Sequence, residues 1–131
     1  MHTEIRYNNL LKEIDEIFPG FQNYLEDKQQ AIEENESAYL TFLSIYVREH
    51  WQVVSLHAKL ADFINAMEAS TNAALKPVYD DFLLDFYLSC KEQSISLLSF
   101  LNQLSHPAQE RMIYNYNYWI EENNKVTDGS R

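Results

Sequence analysis

Asp80, Asp81 and Asp85 fall within six residues, and Asp81 and Asp85 lie four apart, neighbours on one face if the segment is helical. Like charges at that spacing destabilise a helix by a few tenths of a kcal/mol, so the pair suits a cation or a basic partner. The plainer reading is a helix start, because Asp80 and Asp81 follow Pro77 in a first turn where the dipole favours acids. A second acidic group, Glu33, Glu34 and Glu36, falls near a helix C-terminus, against the dipole, which leaves that end unstable or otherwise occupied. Tyr114 and Tyr118 form an i, i+4 pair turned away from the core stripe of the last helix, with Asn115 and Asn117 interleaved. Exposed tyrosines beside amides have the composition of a protein-binding surface, since rigid amphipathic rings give area at low entropy cost. A core reaching further round the helix accounts for them equally well. These seven residues are the candidates for partner binding: Glu33, Glu34, Glu36, Asp81, Asp85, Tyr114 and Tyr118.

Metal and nucleophilic chemistry find less support. His50 and His57 are seven residues apart, which on a continuous helix places them on one side at about 10 Å, too far to share an ion. No His-Glu-x-x-His or Glu-x-x-His spacing occurs. A three-histidine site would need folding to bring His106 to that pair; the alternative is half-buried histidines beside Trp51 and Leu56. Cys90 sits next to Tyr87 and Leu88 on an apolar side, where a thiol is an inert small hydrophobe. As the single cysteine it forms no intramolecular disulfide and fits a reducing compartment. No cofactor and no metal ligand is assigned.

The elements that position these residues follow from composition and periodicity. At 131 residues, with 46% hydrophobic content, the chain suits one domain with its own core. Its two glycines, Gly20 and Gly129, are too few for the turns of an all-β fold and leave no glycine between them to supply a left-handed turn. They also exclude a phosphate loop or a dinucleotide fingerprint. The net charge is −10, and no two basic residues are adjacent, which argues against a nucleic-acid backbone as partner. Residues 1–36 hold nine acids and three bases, a net of −6. That sign either serves solubility or draws in a basic partner and speeds the encounter. No run approaches the roughly 20 apolar residues of a membrane span, and the opening residues lack the apolar core of a signal peptide. A cytoplasmic protein is expected.

Apolar residues recur at three- and four-residue steps throughout. A first helix is expected from a Thr3 cap to Phe18, stopped by Pro19-Gly20, and a second, weaker one from Phe21 to about Glu34. Ser37 is placed to cap a third, apolar around most of its circumference, and residues 37–70 form either one long helix or two with a kink near His50. Val78 to Leu104 is again one helix or two, diluted at Lys91-Glu92-Gln93-Ser94. Pro107 starts the last helix, with Met112, Ile113, Tyr116, Trp119 and Ile120 facing inward. Residues 1–123 should form one helical domain and 124–131 a mobile polar tail. The expected fold is all-α, a compact five- to six-helix up-and-down bundle.

In size and charge, and in segments such as Leu11-Lys12-Glu13-Ile14-Asp15-Glu16-Ile17-Phe18-Pro19 and His57-Ala58-Lys59-Leu60-Ala61-Asp62-Phe63, the chain resembles the small acidic all-helical proteins of bacteria, some of which are immunity proteins for secreted toxins. The resemblance implies a non-enzymatic module docking a basic protein through its acidic, tyrosine-bearing surface. A metal-dependent helical-bundle enzyme built on His50, His57 and His106, and a homodimer paired through the C-terminal aromatic face, are the other arrangements the residues allow.

Overall fold

The computed structural model of the chain describes residues 4–27 and 36–129, and among them there is no strand. Among the described residues, seven α-helices follow a short 3-10 turn at Tyr7–Asn9: α1 (Leu10–Ile17), α2 (Phe21–Asp27), α3 (Glu36–Glu49), α4 (Val54–Ala69), α5 (Leu75–Glu92), α6 (Leu98–Leu101) and α7 (His106–Gly129). The all-α bundle read from the periodicity is what forms. Its central rod is α5, packed chiefly on α3 and α7. Thr41 meets Asp85 and Arg48 lies near Cys90, so α3 and α5 run in the same sense. Phe63 meets Phe82 and Glu68 meets Tyr79, so α4 runs in the opposite sense to α5. One core collects Leu10 and Ile14 of α1 with Phe18 just after it, Leu43 and Val47 of α3, Leu60 and Ile64 of α4, and Phe82 and Phe86 of α5.

Helix boundaries depart from the sequence reading at several places, each for a local reason. The Thr3 cap lies outside the described residues, and α1 begins only at Leu10 because residues 4–6 are held extended against the end of α4. There Ser70 donates its hydroxyl to the Ile5 carbonyl, Thr71 donates its backbone N–H and hydroxyl to Glu4, and the Tyr7 N–H donates to Asn72 Oδ1 at 2.9 Å. Phe18, before Pro19, leaves the helical region at φ −121° and ψ 73°, as the proline requires. Gly20 is not in the left-handed region; its smallness matters instead, because a Cβ there would come within 2.9 Å of the Tyr46 hydroxyl.

Ser37 is not the cap of α3, which already includes Glu36. Residues 37–70 resolve into two helices, broken at His50–Val53. Residues 78–104 also separate, and α5 ends in a Schellman motif: the Ile95 N–H bonds the Cys90 carbonyl at 2.9 Å and the Ser94 N–H bonds the Lys91 carbonyl at 3.1 Å. That motif needs a left-handed residue, and Ser94 supplies it at φ 57° where glycine is usual. The chain therefore does make a left-handed turn between its two glycines. The last helix continues to Gly129, beyond the expected end at 123.

Candidate functional site

α7 crosses the bundle with only part of its expected inward stripe buried. Ala108 and Met112 have no exposure, while Ile113 and Trp119 stand in solvent. The buried stripe is narrower than expected because, among the described residues, α7 packs chiefly on α5 and α4. Its neighbouring face, with Tyr114 and Tyr118, forms one wall of a groove of about 400 Å³ whose other wall is Asp80, Asp81 and Leu84 of α5. Tyr114 is 68% exposed, Tyr118 56% and Trp119 38%. Three of the seven candidate residues, Asp81, Tyr114 and Tyr118, thus come together from positions more than thirty apart in sequence. The volume falls within the roughly 300–1,000 Å³ of ligand pockets, and a concave aromatic wall suits a side chain of a partner.

The groove is fixed at one end by an ion-pair network that sequence reasoning did not single out. Arg111 of α7 forks onto Glu68 of α4, Nε to Oε1 at 2.8 Å and a terminal nitrogen to Oε2 at 3.3 Å, and reaches Asp80 Oδ1 at 3.1 Å. Asn115 donates to the same Asp80 oxygen at 3.0 Å, and the Tyr79 hydroxyl donates to Glu68 Oε1 at 3.0 Å. The guanidinium carbon sits 5.5 Å over the Tyr79 ring. Burial pushes the Glu68 carboxyl up, but hydrogen bonds from Arg111 and Tyr79 outweigh it and hold the group below the ordinary carboxylate range. Burial and the Glu68 charge push the Tyr79 hydroxyl far up. Asp80 is therefore committed to its own chain. Asp81 has no hydrogen-bond donor or cation against it among the described residues. The signal that could have found Arg111 is its place as the single base between Lys91 and Lys125, four residues before Asn115 and so on the same face of α7.

The remaining candidates lie elsewhere. Asp85 does not enter the groove; it lines a cleft of about 200 Å³ between α5 and α3 with Asp81, Thr41 and Leu40. Partial burial of its carboxyl, then the charge of Asp81, raise its pKa, against a hydrogen bond from Thr41. Glu36 stands at the first turn of α3, half-buried and apart from the groove lining. Glu33 and Glu34 lie outside the described residues.

The three histidines do not form a centre. His50 Nδ1 bonds the Tyr46 carbonyl at 2.8 Å, and His57 Nε2 bonds the Trp51 carbonyl at 2.7 Å while stacking on the Trp51 ring at 3.8 Å. His106 is exposed and faces Glu110 at 3.3 Å. Among the described residues no three His, Cys, Asp or Glu side chains are grouped to hold a metal ion. Cys90 is fully buried and its thiol is pushed up to about 12 by that burial, so it is not poised as a nucleophile.

A larger cavity, about 700 Å³, lies between α1 and α4 over Ile5, Ile17, Phe63 and Ala66. Its rim mixes Glu13, Glu16 and Asp62 with Lys59, and Lys12 lies 4.0 Å from Glu16. With its acids partly offset and no exposed aromatic wall, it is less specific than the groove between α5 and α7. Among the described residues no helix is long and apolar enough to cross a membrane. Compared with known protein families, curated proteins and solved structures, the chain matches none.

Proposed function

We propose that the protein is a non-enzymatic binding module whose groove between α5 and α7 docks a basic protein segment. The observation that carries this reading is the convergence of Asp81 with the exposed rings of Tyr114, Tyr118 and Trp119 on one concave surface. Aromatic anchors in a groove supply contact area that excludes water, and a carboxylate without a cation of its own supplies sign. The net charge of −10 adds long-range steering toward a basic partner, which raises the association rate and weakens with salt. An immunity-type inhibitor of a basic toxin is the kind of protein that size, charge and this surface suit.

The test is capture from cytoplasmic extract by wild type and by an Asp81→Asn, Tyr114→Ala, Tyr118→Ala triple variant. The expected result is a basic protein retained at low salt by wild type, released at high salt, and lost with the triple variant. Identical capture by both proteins, or retention unaffected by salt, contradicts the reading. Sedimentation of the same two proteins addresses self-association: a dimer that dissociates in the triple variant would assign the aromatic face to a second copy instead.

A further inference from the structure

We infer that the groove between α5 and α7 selects arginine, taking one guanidinium of the partner over the Tyr114–Tyr118 wall and against the Asp81 carboxylate. The inference rests on the reading of the groove as a docking surface for a basic segment, and it names the side chain that surface grips.

Arg111 shows how α4 and α5 hold a guanidinium from α7 beside this groove. Its fork meets the two oxygens of Glu68, a further nitrogen meets Asp80, and the group lies over the face of Tyr79. Carboxylate edge and tyrosine face together define a site for a planar, delocalised cation. Asp81, Tyr114 and Tyr118 bring the same two ingredients to the groove, Asp81 next in sequence to Asp80 and Tyr114 three residues after Arg111. Glu68, Asp80 and Asp81 set against Arg111 and Lys76, whose ammonium lies beside Glu68, leave one negative charge in excess around the groove, so an incoming cation meets net attraction.

Lysine fits this surface less well. An ammonium is a compact and strongly hydrated point charge that neither stacks nor bridges two acceptors in a plane. The chain's own lysines spend the ammonium on single acceptors: Lys76 lies 5.6 Å over the same Tyr79 ring but donates to the Met67 and Glu68 carbonyls, and Lys91 of α5, 4.4 Å from the Tyr116 ring centre, donates to its hydroxyl. A wall of several rings beside one carboxylate rewards a flat cation that is easily stripped of water.

The test is calorimetric titration of the full chain with three capped hexapeptides identical except at two central positions, which carry arginine, lysine or citrulline. The expected order is arginine first, lysine about tenfold or more weaker, and citrulline without measurable binding. Asp81→Asn and Tyr118→Ala should each remove the arginine preference, whereas Tyr118→Phe, which keeps the ring, should preserve it. Equal affinity for the arginine and lysine peptides overturns the arginine inference and leaves the groove as a general basic-segment surface. Citrulline binding as tightly as arginine also overturns it, as does an arginine preference unchanged in Asp81→Asn. Failure of both cationic peptides to bind overturns the docking reading itself.

Discussion

Asp81 and Asp85 are the same side chain one helical turn apart, yet they serve different surfaces. Asp81 sits on the ridge between two concavities and lines both, while Asp85 lines only the cleft toward α3. Partial burial and the neighbouring charge raise the pKa of Asp85. A raised value means that the folded chain holds the proton more tightly than the unfolded chain does, so ionised Asp85 costs stability. That cost is present above its folded pKa, shrinks as pH falls through that value, and is gone below the unfolded value of about 3.9. Asp85→Asn should therefore stabilise the fold by about 0.5 kcal/mol at neutral pH, the scale of one like-charge i, i+4 contact. Urea denaturation across pH checks this. The gain should fade on acidification, and a variant less stable than wild type at neutral pH would show that the Thr41 contact outweighs the repulsion. The spacing of the two aspartates was legible in the sequence, but their division between two surfaces was not, because it depends on which helices flank α5. Arg111 was harder to read for the same reason: its partners Glu68, Asp80 and Tyr79 come from two other helices, α4 and α5.

Helices announced themselves through apolar periodicity, whereas their ends depended on contacts that a one-dimensional pattern does not hold. Pro19 acts through a local steric rule and was read correctly as the stop of α1. The extended entry at residues 4–6 depends on Ser70, Thr71 and Asn72, more than sixty positions away. The end of α5 is a case where the usual signal is missing, since Ser94 occupies the left-handed position that glycine normally marks. Removing its Cβ should relieve that strain without disturbing the two backbone hydrogen bonds. Ser94→Gly is expected to stabilise the protein by about 0.5–1 kcal/mol, less whatever the added freedom of the unfolded chain takes back. A rise in the urea midpoint with an unchanged slope checks it. A fall would mean that the Ser94 side chain makes a compensating contact.

At the scale of the whole molecule, a bundle of all-α class followed from scarce glycine and 3.6-residue stripes. Packing order did not follow, because short connections say only that consecutive helices are close, not that α5 becomes the shared neighbour of α3 and α7. That arrangement makes the groove: α5 presents Asp81 and Leu84 to one side of α7, and α7 leaves its tyrosines without cover there. The competing concavity between α1 and α4 is larger but lacks the exposed rings. The most direct measurement is a nuclear magnetic resonance titration of the isotopically labelled protein with an arginine-bearing peptide. The Trp119 indole, the Tyr114 and Tyr118 rings and the Asp81 amide are expected to shift together, with the shifts suppressed by salt. Shifts centred on Ile17, Phe63 and Ala66, or spread evenly over the acidic surface, would contradict it.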